Sequence, residues 1–351
     1  MSTRGVVLMV GGLLGGLVLA YGLVFLNAAG GFRTLDPVTP GPCRALPGFL
    51  GPEDIALDRA TGRAYVTVAD RHAVASGSGG PRGAIALLDL KAAVPTPVRL
   101  EVADPASFFP HGLDFYQGPD GAKRLFVVNH GADGAHHSIE IFDILEDGAL
   151  RHAETVRDPS LTSPNDVAAT GPRQFYASND LGATSAIGKM LETYFLMPWG
   201  NVVYYDGVAG RVALDGLLYA NGVSRMDDRL YVAQSTGRRL SAYDMGENGQ
   251  LALAFAHDIP MNLDNIGFAT DGALLAAGHP KALAFLAHAA DPSLPSPSEV
   301  VRLAPHAAAA GTIYLDQGEG ISAASIAVEY EGRLFIGAVF ADHMLMCAMG
   351  S

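Results

Sequence analysis

A chain of 351 residues in which 49% are hydrophobic and 17% charged can bury a large core and lacks the composition of a disordered segment. Its formal net charge of -13 argues against a nucleic-acid partner and suits a hard cation better. The 42 glycines fit a fold with many tight turns.

The first element is "GVVLMVGGLLGGLVLAYGLVFL", an uncharged stretch behind Arg4. At about 22 residues it exceeds the usual secretory core and reaches the length that spans a bilayer. It reads as an uncleaved signal anchor over 1–30. The cation on its short side places the N-terminus in the cytoplasm and the body on the extracytoplasmic face. Cleavage after Ala28 or Ala29 is the alternative and would give a secreted protein. Cys43 and Cys347 are the two cysteines. A lone pair in an exported chain reads as a disulfide, with two free buried thiols as the alternative.

Residues 31–351 divide into six similar units. They begin "EDIALDRATGRAYVTVAD", "HGLDFYQGPDGAKRLFVVNHG", "NDVAATGPRQFYASND", "NGVSRMDDRLYVAQST", "DNIGFATDGALLAAGHP" and "SIAVEYEGRLFIGAVF". A third strand is expected in each, at "GAIALLDL", "SIEIFDI", "NVVYYDG", "RLSAYDM", "ALAFLA" and "HMLMCAM". Alternating apolar residues and Gly- or Asp-containing turns mark strands. A period of roughly 43–61 residues is within reach of propeller blades. The fold class is therefore all-β, a six-bladed β-propeller with an N-terminal hydrophobic helix. The strand around Cys43 and the last strand around Cys347 would share a blade and clasp the ring. Residues 180–197 are the best helix in the body, and 75–84 read as a loop. His72, His136, His137 and His343 read as surface residues.

Aligned on their first strands, the six units lead with Glu53, His111, Asn165, Asn221, Asp264 and Ser325. In a propeller the innermost strands line the axis, so six polar side chains would meet at one end of the channel. Carboxylate and amide oxygens gathered there are ligands for Ca²⁺, which takes 6–8 oxygens, whereas zinc prefers His and Cys. The alternative is a channel filled with water bonded to polar groups. Neighbours along a strand face opposite ways, so Glu53 and Asp54, like Asn165 and Asp166, would serve ions at two depths.

At these residues the chain resembles the paraoxonase family of calcium-dependent lactonases and arylesterases. The resemblance runs over nearly the whole chain. It rests on "CRALPG", "GPEDIALD", "FFPHGLDFY", "RLFVVNHG", "SPNDVAA", "FYASND", "NVVYYDG", "YANGV", "LDNIGF", "GHP" and "GRLFIGAVF". It implies two calcium ions in the channel and a disulfide joining the chain ends. The catalytic ion would be held by Glu53, Asn165, Asn221, Asp264 and Asn265. The structural ion would take Asp54, Asp166 and the backbone carbonyl of Leu113. His111 and His130 match the family's histidine pair, and His279 a supporting histidine with Asp180 as its partner. Tyr219 and Ser325 would lie in the substrate pocket. Three positions depart from the family pattern: Leu181 replaces a histidine, Tyr219 a phenylalanine, and the loop at 75–84 is Gly/Ser-rich. These bear on substrate preference.

The expected activity is opening of lactones and cleavage of aryl esters. Calcium would polarise the carbonyl, His111 would activate water with His130 as orienting or relay group, and Asp264 is the alternative nucleophile or base. Anchorage at a membrane makes apolar substrates such as acyl-homoserine lactones the expected class. Two other readings keep the propeller: a sugar lactonase or phosphotriesterase, and a non-enzymatic binding module with calcium purely structural. No Gly-x-Ser-x-Gly elbow or Walker loop occurs, so serine-hydrolase and P-loop chemistry have no support.

Overall fold

The computed structural model describes residues 3–75, 83–102, 107–131, 136–304 and 310–350, with backbone alone for 3–10, 14, 74 and 75. Most of the expected loop at 75–84 lies outside the described residues. The described chain forms six four-stranded antiparallel sheets. Five are built from consecutive strands, numbered here as blades one to five and running from Pro52 to Leu100, Pro110 to Val156, Pro164 to Leu217, Ala220 to Asp258 and Asn262 to Asp316. Blade six takes three strands from Ala324–Ala348 and its outermost strand, Cys43–Pro47, from the other end of the chain.

The first strand of each blade contacts the first strands of both neighbours, and the ring closes between blades six and one. The core follows from that arrangement. Six separate clusters of buried apolar residues lie one at each blade–blade interface. Both faces of each sheet are covered, so inner strands read as continuous buried runs such as Pro164–Ala169 rather than half-buried alternations. At the seam Cys43 and Cys347 are register partners and form a disulfide.

Among the described residues four α-helices stand outside the sheets: α1 (Thr3–Ala28), α2 (Arg71–Ala75), α3 (Ala186–Phe195) and α4 (Ala282–Ala290). α3 is shorter than the helix expected over 180–197. Ser185 caps it by accepting from the Gly188 amide, and Leu196 leaves it in the left-handed region at φ 52°. The lead-in amides of Gly182 and Ala183 turn back instead onto the Glu192 carboxylate, at 2.9 and 2.7 Å. α4 corrects the fifth unit, where "ALAFLA" was expected as a strand. Without β-branched residues this Ala/Leu run favours helix, and the third strand of blade five is Ser298–Leu303.

Candidate active site

Every first strand carries a β-bulge at its axial end. The register slips at Glu53, His111–Gly112, Asn165–Asp166, Asn221–Gly222, Asp264–Asn265 and Ser325. These are the positions of the polar column. A bulge breaks the alternation of the pleat and re-aims the side chains it carries. The amides that leave the ladder find hydroxyls on the second strand: Asp54 N donates to Thr67 Oγ1 and Asp166 N to Ser178 Oγ, each at 3.1 Å.

Two glycines let neighbouring bulges approach. A Cβ on Gly112 would lie 2.3 Å from Asp166 Oδ1 and 2.5 Å from its Cα, and one on Gly222 would lie 2.7 Å from the Cα of Asn265. Blades two and four therefore recede where blades three and five bring polar side chains. Asp54 and Asp166 bridge blades: Asp54 Oδ2 accepts from Leu113 N and Asp166 Oδ2 from Val223 N, both at 2.8 Å.

Glu53, Asn165, Asn221, Asp264 and Asn265 are all buried. Asn265 Nδ2 donates to Glu53 Oε1 at 2.7 Å. Glu53 Oε2 and the Oδ1 atoms of Asn165, Asn221 and Asn265 are buried without a hydrogen-bond partner. Unpaired buried oxygens are costly. Four on neighbouring axial positions form a donor set that fits a hard cation. Among the described residues no group of three or more His, Cys, Asp or Glu side chains is placed to hold a metal; the ring instead mixes two carboxylates with three amides.

Electrostatics point the same way. Burial raises Glu53 above the usual carboxylate range, against the pull of Arg71 and Asn265. Burial, reinforced by the neighbouring carboxylates Glu53 and Asp54, raises Asp54 and Asp166 respectively well above it. Burial also raises Asp264 despite its bond to His279. Acids held this way ionise readily only beside a positive charge.

A cavity of about 530 Å³ opens above the ring. Glu53, Asn165, Asn221, Asp264, His111, His130, His279 and Tyr219 reach it. Its walls are apolar: Phe109, Leu181, Leu196, Leu283, Phe285 and Leu286, with Phe25 and Ala28 from α1. His111 Nδ1 lies 2.9 Å from His130 Nε2, and His111 Nε2 lies 3.7 Å from Glu53 Oε1. Burial, then the Arg71 charge, pushes His111 down to about 4, and burial with the other histidines holds His130 well below its ordinary value.

Several expectations need correction. His279 Nε2 bonds Asp264 Oδ2 at 3.1 Å, while Asp180 accepts from Ser163 Oγ at 2.5 Å. Asp180 thus neighbours the cavity residue Tyr219 rather than holding His279. Ser325 is fully buried and absent from the cavity wall, because its hydroxyl turns back to the Glu53 carbonyl at 2.5 Å. His72 stacks on Phe340 at 4.5 Å, His343 bonds Asp342 and Gly320, and His137 lies 3.0 Å from His130, so these three are half-buried and only His136 is exposed. Arg71 was missed. Its guanidinium binds the carbonyls of Gly51 and Pro110 and sits 3.8 Å from Glu53. It opens α2, a five-residue helix whose only start signal is Asp70, the cap that accepts from Ala73 N at 2.9 Å.

A six-bladed ring with an oxygen-rich axis and a histidine pair at its mouth defines a class of propeller enzymes. The sequence pattern of the arylesterase family matches residues 72–349. The chain belongs to that family of hydrolases. It is 31% identical to serum paraoxonase/arylesterase 2 of Gallus gallus over 330 residues, covering 91% of this chain and 92% of the relative. It is 29% identical to serum paraoxonase/arylesterase 1 of Homo sapiens over 328 residues, covering 90% of each. Among solved structures, a gluconolactonase from Xanthomonas campestris superposes with TM-score 0.51 at 14% identity over 91% of this chain and 99% of its own. The calcium-binding protein regucalcin from Agrobacterium tumefaciens gives the same score and identity over 90% and 98%. These two likenesses concern the fold alone.

Proposed function

We propose that the protein is a calcium-dependent lactonase with arylesterase activity. The observation that carries this reading is the set of four buried oxygens without a hydrogen bond on Glu53, Asn165, Asn221 and Asn265 beneath the histidine pair. With Asp264 they would hold a catalytic calcium ion. A second, structural ion would rest on Asp54, Asp166 and the Leu113 carbonyl. When bound, the catalytic ion supplies Lewis-acid polarisation of the substrate carbonyl.

The residues do the rest. The apolar walls receive the acyl chain or ring and exclude water from all but the reacting face. His111 accepts the proton of the attacking water at Nε2, the nitrogen that faces the ring. Its Nδ1 proton points to His130, which holds the imidazole in place. Asp264, tied to His279, is oriented chiefly as a ring ligand. The walls favour apolar lactones and aryl esters over sugar lactones, which need polar partners along their length.

The N-terminal helix supports membrane anchorage. Gly11–Ala28 is apolar and unburied, and the 26 residues of α1 extend about 39 Å, enough to span a hydrocarbon core. Its base is docked to the propeller through Ala282 N to Ala29 O and Arg238 Nη1 to Asn27 O. Exposed Ile187, Met190, Tyr194 and Phe195 of α3 would face the same bilayer. The cavity would then open where apolar substrates partition.

The test is turnover of an aliphatic lactone and of phenyl acetate by the full chain, after EDTA and after Ca²⁺ is restored. Loss and recovery of both are expected. A calcium-binding protein that turns over neither substrate overturns the hydrolase reading. In the same assay His111→Gln should lower kcat about 10²-fold or more, and a near wild-type rate would move the base to Asp264.

A further inference from the structure

The histidine pair has a third member. His130 Nε2 faces His111, and its other nitrogen, Nδ1, lies 3.0 Å from Nδ1 of His137. The backbone places them together independently of the side chains. In blade two Asn129 is the register partner of Ser138, so His130, one step beyond, and His137, one step before, face each other across the antiparallel pair. Asn129 fixes one side by accepting from Phe109 N at 2.9 Å and Gly131 N at 3.0 Å. Ser138 fixes the other by donating to Glu140 Oε1 at 2.6 Å.

The three rings form a chain, not a chelate. His130 spends its two nitrogens on different partners at 2.9 and 3.0 Å. Those are hydrogen-bond distances, whereas zinc ligands converge on one ion. We infer that His137 is a positioning residue that sets the tautomer of His130 and, through it, that of His111. This rests on the hydrolase reading, in which His111 Nε2 must be bare to accept a proton. His111 then carries its hydrogen on Nδ1 and donates to His130 Nε2. His130 must carry its own on Nδ1, and His137 Nδ1 must accept it. Each ring has one proton and two edges, so the assignment at one end fixes the other. His137 thus does for this pair what a carboxylate does for a histidine in a catalytic triad, without bringing another negative charge near the acidic ring.

The experiment compares wild type, His137→Ala and His137→Asn as full chains with Ca²⁺. It reads nitrogen-15 NMR of the His130 ring together with steady-state kinetics. The wild-type His130 should be the Nδ1–H tautomer. In His137→Ala the Nε2–H form should appear and kcat should fall about tenfold or more, short of the ~10⁴ seen when a triad carboxylate is lost, with KM unchanged. An Asn side-chain oxygen can stand in for Nδ1, so His137→Asn should recover most of the rate and the original tautomer. A wild-type His130 protonated on Nε2 overturns the assignment whatever the turnover. A His137→Ala enzyme that is fast, or slow with His130 still Nδ1–H, also overturns it. A wild type of the expected tautomer that hydrolyses neither substrate sinks the hydrolase reading and, with it, the catalytic use of the chain.

Discussion

At the scale of single residues, the site depends on amides doing what carboxylates alone could not. Four or five acids at one point would repel one another and pick up protons. Asn165, Asn221 and Asn265 supply oxygen without adding charge. Asn165→Ala removes one orphaned oxygen while sparing the carboxylates, so the fold should persist and calcium affinity should drop about tenfold or more. Calorimetric titration of the metal-free protein measures it. Unchanged affinity would take Asn165 out of the ring. The polar column was legible because it recurs at the same place in six units. What strand alternation could not convey was the bulge. Alternation assigns Glu53 and Asp54 to opposite faces, but the slip of register between Pro52 and Asp54 changes their aim. Ser325 misled for the same reason, since its place in the column does not reveal that its hydroxyl closes onto Glu53. His137 was legible in principle: once 123–129 and 138–144 are read as a hairpin, pairing places it opposite His130.

At the scale of elements, strands were easier to read than helices. Strands are bounded by turns, and second strands such as Arg63–Val68 and Lys123–Asn129 are rich in Val and aromatics, whereas α4 is short, entirely apolar at its start and lies where the repeat calls for a strand. The helices nonetheless shape the cavity. Tyr21 of α1 stacks on Phe195 of α3 at a centroid distance of 5.8 Å, and Phe285 of α4 stacks on His279 at 4.0 Å. Phe25 and Ala28 line the cavity directly. The first helix is therefore a cavity wall as well as the proposed anchor. A chain starting at Ala29 should keep its kcat on a small lactone but lose binding of long-chain ones. Removing contact with one phenylalanine costs up to ~1.5–3 kcal/mol, so KM for a long-chain substrate should rise roughly tenfold or more. Michaelis curves for short and long acyl lactones test this. Equal KM values for both proteins would reduce α1 to a tether.

At the scale of the whole molecule, stability is decided at the seam. Six interfaces bury the core, and four join blades made from consecutive chain. Blade six alone is stitched from both ends, by the pairing of Cys43–Pro47 with His343–Ala348 and by the disulfide across a sequence separation of 304. With the proposed calcium bound, two linkages would act on one ring. The disulfide acts chiefly on the unfolded chain, and loop-closure entropy gives about 6 kcal/mol as an upper figure. The proposed axial cation would act on the folded chain alone, because its ligands would come together only when blades one, three, four and five are in place, and it would stabilise by mass action. Replacing both cysteines by serine should lower Tm on the order of 10 °C, and EDTA should lower it further in both proteins. The informative comparison is calcium affinity at 25 °C. If the clasp works through the unfolded state, the serine variant binds calcium as tightly as wild type even though it melts earlier. If affinity falls with Tm, the seam opens within the folded protein and the disulfide holds the ring of ligands in register.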